Sequence, residues 1–139
     1  MTVQWSTTVR NGVLDEWQTA IGVSAILEVW SGSIPANCAA ASTGTKLLHY
    51  ALASNWASPA SAGSKSLSNL PLTTTGLSGA GAGTNAGYYR IFASDGVTCH
   101  EQGTITVTGG GGDMTLDNIS IANGQTVNVN SFSKSAPGA

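Results

Sequence analysis

The chain has 139 residues, enough for one domain with its own core, and only 9% of them are charged, for a formal net charge of -2. Five scattered Lys and Arg residues exclude the clustered phosphate contacts of a nucleic-acid binder and give an anionic membrane no basic segment to hold. Gly, Ser, Thr, Ala and Asn fill the place of charge, a surface suited to high local density inside an assembly or to a secreted adhesive β module.

The N-terminus, Met1-Thr-Val-Gln-Trp-Ser6, lacks a charged and then apolar leader. No apolar run approaches the roughly 18 residues of a spanning helix. The expectation is therefore a protein made and kept in a cytoplasm until something else carries it out. Residues 7–21 carry a helical pattern, with Val9, Val13, Leu14, Trp17 and Ile21 on one apolar stripe. Ser6 or Thr7 can cap its start and Gly22 its end. The stripe is expected to cover one edge or end of a sheet, leaving Arg10, Asp15, Glu16 and Gln18 in solvent.

Ala25–Trp30 alternates as a first strand, with Ala25, Leu27 and Val29 on one face and Ile26, Glu28 and Trp30 on the other. Lys46–Ala53 reads as a second strand, after a loop through Pro35 and Gly44. From 55 to 87 the chain loosens around Pro59, Gly63, Pro71 and the Gly76–Gly87 tract. A long loop or interaction arm is expected there, with short strands open at 66–70 and 72–75.

Residues 88–132 read as two consecutive hairpins. Asp95-Gly96 and Asn123-Gly124 are the dipeptides of two-residue turns, and Gly109–Gly112 joins the two units. Glu101 falls on the apolar side of the strand through Val97–Val107 with Gly103 beside it, which points to a bulge or an exposed strand end. Residues 133–139 read as a loose tail. The fold expected is a single mainly β domain, an antiparallel β-sandwich or flattened barrel of about six to eight strands with one N-terminal amphipathic helix.

No catalytic, metal or cofactor residues emerge. His49, His100, Cys38 and Cys99 lack ligand spacing. Gly79-x-Gly81 has no preceding buried strand, no following helix and no Lys to close a phosphate loop. Asp15-Glu16 reads as solvated helix surface, and Glu101, Asp113 and Asp117 as strand ends and turns. Nothing selects the facing carboxyl pair of a glycosidase. One disulfide is open to Cys38 and Cys99, the only cysteines, although without a leader the plainer expectation is two reduced thiols. The four tryptophans are the stronger signal: Trp17 belongs to the helix stripe, and the others lie on polar segments of the kind enriched in protein contacts.

The runs Ala25-Ile-Leu-Glu-Val-Trp-Ser-Gly32, Pro35-Ala-Asn-Cys-Ala-Ala-Ala41 and Thr43-Gly-Thr45 resemble small virion structural proteins of tailed bacteriophages. So do Gly109–Asn118, Ile121-Ala-Asn-Gly-Gln125 and Val129-Asn-Ser-Phe132. The resemblance implies no catalytic residues, and assembly in the host cytoplasm without a signal peptide. Its leading implication is a capsid decoration (cement) protein on the outer surface of the virion, in contact with the major capsid protein and with copies of itself. Trp5, Trp30, Trp56 and Phe132 are the expected contacts. The runner-up is a tail- or collar-associated virion protein, with or without a carbohydrate-binding face. A free lectin-like module and a lytic enzyme follow in that order.

Overall fold

A computed structural model describes residues 2–139. The protein is mainly β, with one helix and ten short strands in curled sheets that form a half-barrel. Helix α1 spans Thr7–Ile21, and its first turn is closed by Ser6, whose Oγ accepts from the Val9 N–H at 3.3 Å. Gly22, at φ +90°, ends it by donating its N–H to the Gln18 carbonyl.

Strands β1 (Ile26–Ser31), β2 (Lys46–Ala51), β5 (Thr84–Phe92), β6 (Cys99–Val107) and β7 (Met114–Leu116) form the main sheet in the order β2-β1-β5-β6-β7. The short β8 (Ser120–Ile121) pairs with the start of β5. Leu27, Val29, Leu47, Leu48, Tyr89, Ile91 and Ile105 are all buried in one core with Trp56, Met114, Leu116 and Val129. Such nearly continuous apolar burial marks strands covered on both faces.

Several expectations are corrected. The 55–87 stretch is not a long loop: β4 (Leu72–Thr75) forms where a short strand was left open, β3 is Ser64–Ser66 in place of a strand at 66–70, and Trp56, Ala57 and Leu67 are core residues. The tail is not loose either, because β10 (Ser133–Ser135) pairs antiparallel with β3 and buries Ala136. β9 (Thr126–Val129) pairs with β4 rather than with β8. The Asn123-Gly124 turn is real, with the Gln125 N–H on the Ala122 carbonyl and Gly124 at φ +77°, but it passes the chain from one sheet to another. Around Asp95-Gly96 the hairpin loop has four residues, 94–97, between the bonded Ala93 and Thr98. Only Gly96 of that dipeptide has positive φ, so the two-residue turn does not form.

The glycine tract also has a different role from joining two hairpins. β7 runs parallel to β6, with Ile105 opposite Met114 and Val107 opposite Leu116. A parallel neighbour ordinarily needs a crossover of a dozen residues or more, and here 108–113 suffice. The connection recovers only about 7 Å along the strand and 4.8 Å across it, within reach of six residues. Gly109 and Gly111 supply the positive φ values, +86° and +81°. A Cβ at Gly110 or Gly112 would stand 2.7–2.8 Å from the Thr106 side chain, whose Oγ1 accepts from the Gly112 N–H.

The expected bulge near Glu101 exists: β5 and β6 shift register between Ile91 and Phe92, leaving His100 unpaired. Gly103 lies under the Tyr89 ring, where a Cβ would meet Cε1 at 2.6 Å.

Candidate functional site

Helix α1 docks through the edge that looks more polar. Arg10 donates Nε and Nη2 to the Ala136 carbonyl at 3.2 and 3.0 Å, and the Gly63 N–H reaches Asn11 Oδ1 at 2.8 Å. Asp15 is exposed, as expected, and its carboxylate also takes the Lys65 ammonium at 2.6 Å and the Ala60 N–H at 3.1 Å. These two partners hold the Asp15 carboxyl below its ordinary range. Lys65 is 3% exposed, so its charge needs that partner. Leu14 and Ile21 fill the core between these polar anchors.

At 100° per residue, Val9 and Val13 lie roughly 100° or more around the helix from Leu14. They are 49% and 44% exposed, and the preceding Val3 and Trp5 are 71% and 40% exposed. The expected apolar stripe is therefore split: Leu14 and Ile21 face in, Trp17 is half-buried, and the two valines face out. The N-terminal segment and α1 thus leave Val3, Trp5, Val9 and Val13 open to solvent. Single exposed apolar residues are common, and it is a run of them that marks a contact surface.

The four aromatic candidates separate cleanly. Trp5 is exposed and anchored by its backbone N–H to the Gly138 carbonyl at 2.7 Å. Trp30 is half-buried beneath Lys46, with its Nε1 on Glu28 Oε2 at 3.1 Å. Trp56 and Phe132 are corrected to core residues at 2% and 4% exposure. Trp56 stacks edge-on against Trp17, with centroids 5.0 Å apart, and donates Nε1 to the Gly22 carbonyl at 2.8 Å. Phe132 packs edge-on against Tyr89 at 5.4 Å. Neither ring is available to a partner. Val3, Val9 and Val13 are exposed residues that the sequence reading did not single out as contacts, as are Val23, Ile34, Val97 and Val107 elsewhere on the surface. The sign available in the sequence was the spacing of Arg10, Asn11, Asp15 and Gln18, which also share one helix edge.

The other polar clusters are structural in their contacts. Glu101 joins Trp17 Nε1 and Tyr89 Oη, each at 2.6 Å, to Lys134 Nζ at 2.5 Å. Burial, reinforced by the Glu101 charge, holds the Tyr89 phenol far above its usual range, so it stays a neutral donor. Asp113 accepts from the Thr104 backbone N–H at 2.9 Å, which lowers its pKa.

On the opposite face of the main sheet, His49, Glu28, Arg90 and Gln102 stand in one row across four strands. Glu28 is 3% and Arg90 2% exposed. Glu28 pairs with Lys46 at 2.7 Å and with His49 Nδ1 at 3.3 Å. Arg90 is held by neutral acceptors: Gln102 Oε1 at 2.8 Å, the Asn37 carbonyl at 3.1 Å and Ser42 Oγ at 3.2 Å. Those last two belong to the 32–45 loop, which lies over this face as a lid. Gln102 also donates to the Pro35 carbonyl at 2.6 Å, and the Tyr88 hydroxyl to the Thr43 carbonyl at 2.6 Å. Cys38 of the lid and Cys99 of β6 touch, both partly exposed, with the Cys99 thiol donating to Cys38 Sγ.

Open clefts mark the surface of the described residues. One of about 350 Å³ lies beside the end of α1 between Gln18, Gly22, Val23 and Asn55. A smaller one of about 120 Å³ is lined by Asp117, Asn118, Gln125, Thr126 and Asn128. Among the described residues no three His, Cys, Asp or Glu side chains are grouped to hold a metal ion, and no helix is long and apolar enough to cross a membrane. Compared with protein-family models, curated proteins and solved structures, the chain has no significant match.

Proposed function

We propose that the protein is a non-enzymatic structural protein of a tailed-phage virion, a decoration protein that docks on the outer shell of the head. The observation that carries this reading is the exposure of Val3 and Trp5, and of Val9 and Val13 on a helix whose other edge is already anchored. The fold does not need those side chains for its core, and water disfavours their exposure by about 25 cal/mol per Å². A shell subunit that covers them recovers that free energy. The partner is the assembled major capsid protein, joined by further copies of this chain. Binding the assembled shell and not loose subunits shifts the equilibrium toward the intact head. Many modest contacts on one lattice add through avidity. The sparse surface charge suits close packing of copies, since it leaves little like-charge repulsion.

The second reading, a tail- or collar-associated protein with a glycan-binding face, draws on the cleft lined by Asp117, Asn118, Gln125 and Asn128. Amide and carboxylate groups suit sugar hydroxyls, yet the cleft is small and its lining contains no aromatic platform. The decoration reading is preferred for that reason.

Tag-directed electron microscopy of intact virions separates the two. Label spread over the head, with heads that rupture sooner once a mild chaotrope strips the protein, is the expected result. Label confined to the tail or collar moves the protein to the second reading, and no label on any particle removes both.

A further inference from the structure

We propose that Cys38 and Cys99 are an oxidation site: they close an intramolecular disulfide that fastens the 32–45 lid to β6. The two residues are 61 apart in sequence, and their side chains meet because the lid is already seated by bonds that do not involve sulfur. Asn37, next to Cys38, holds Arg90 through its carbonyl, and its side chain accepts from the Ala39 and Ala40 N–H groups, fixing the turn that carries Cys38. Pro35 and Thr43 pin the lid on either side. Cys99 is held on the sheet side at the bulged register beside His100. The ordering that a disulfide ordinarily has to impose is thus in place before the bond forms. Both cysteines are partly exposed, so a small oxidant reaches them.

The chemistry follows thiol–disulfide exchange with a disulfide oxidant such as oxidised glutathione. Cys38, carried on the lid and partly exposed, attacks first, as its thiolate. It attacks one sulfur of the oxidant, forms a mixed disulfide and expels one glutathione thiolate. Cys99 then gives up its proton to water and attacks Cys38 Sγ, expelling the second. Two protein thiols are oxidised and one oxidised glutathione becomes two reduced molecules. Burial, with the contact to Cys38, pushes the Cys99 thiol up to about 12, so it stays protonated through the first step.

Reduced full-length protein is equilibrated with oxidised glutathione at low protein concentration, denatured, alkylated and weighed. The expected product is a monomer lighter by two hydrogens, with no alkylatable thiol and with the Cys38 and Cys99 peptides linked after digestion. Closing a loop of this length raises the melting temperature by roughly 10 °C over the reduced protein. The double variant Cys38→Ser/Cys99→Ser melts with the reduced form and ignores the oxidant. Two alkylated thiols after equilibration, a persistent glutathione adduct, or a covalent dimer overturns the proposal. The mass of the unmodified chain decides this even where the variant fails to fold.

Discussion

The two faces of the sheet built from β2, β1, β5 and β6 are both covered, by opposite means. One face is filled by Leu27, Val29, Leu47, Tyr89, Ile91 and their neighbours in a single apolar core. The other carries the row His49, Glu28, Arg90 and Gln102; a lid that gives mainly carbonyls closes over Arg90 and Gln102, while Lys46 and Trp30 cover Glu28. Among the described residues no buried side-chain nitrogen or oxygen lacks a partner, so the polar face is as fully satisfied as the apolar face is packed. The difference lies in how each fails. An apolar core loses free energy in proportion to the volume removed, whereas a hydrogen-bonded face fails when one shared partner is withdrawn and several groups are orphaned.

The largest effect is expected in the apolar face. Trp56→Ala removes an indole that is 2% exposed and leaves Trp17 without its edge contact, costing about 3–5 kcal/mol in chemical denaturation. A loss under about 1 kcal/mol would mean that the ring is not core. On the polar face, Arg90→Ala orphans Gln102, Ser42 and the Asn37 carbonyl together, and about 2–4 kcal/mol is expected. Hydrogen exchange should rise across 32–45 before it rises in β1. Uniform exchange over both segments would show that the lid and the sheet open as one unit. Gly103→Ala drives a methyl into the Tyr89 ring, which Phe132 and Glu101 hold in place, and about 1–3 kcal/mol is expected from melts.

The smallest effect is confined to a turn outside both faces. The Asp95 carboxylate accepts from Thr98 Oγ1 at 2.6 Å and from the Thr98 and Val97 N–H groups, which holds its pKa at about 2. Its unfolded value is near 3.9. A depressed carboxyl contributes stability that is complete above the unfolded value and is lost as the pH falls toward 2. Melting temperature should therefore decline over that window, less steeply in Asp95→Asn. Identical slopes would remove the turn from the account.

Much of this architecture was legible, and its limits have physical causes. The helix bounds follow from Ser6 and Gly22, whose cap chemistry is local. β1, β4 and the β5–β6 pairing follow from alternation, and the bulge from Glu101 beside Gly103. Period two separates the faces of β1, but it cannot say that Glu28 is buried, because its cover comes from Trp30, Lys46 and His49, the last two on a neighbouring strand. The same gap hid β10: Ser133–Ser135 has no apolar alternation and is a strand only because β3 offers it an edge. Asn123-Gly124 announces a turn without naming which strands it joins. Of the aromatic residues expected at a surface, Trp5 remains exposed, whereas Trp56 and Phe132 lie on polar stretches that fold inward. The orientation of α1 was hidden for a related reason. Arg10 and Asn11 look solvent-facing until their partners at Ala136 and Gly63 are in place, and Asp15, though exposed, holds the buried Lys65.

The docking surface proposed for the assembled shell is the outward edge of α1. Its most direct test is cosedimentation of purified protein with chaotrope-stripped heads, comparing the natural chain with Val9→Ser/Val13→Ser. Both valines are about half exposed, so the variant should melt within about 0.5 kcal/mol of the natural protein. Its affinity for heads should fall at least about tenfold, the equivalent of 1.4 kcal/mol of lost apolar contact. Equal binding by the two proteins, at equal stability, would contradict the account.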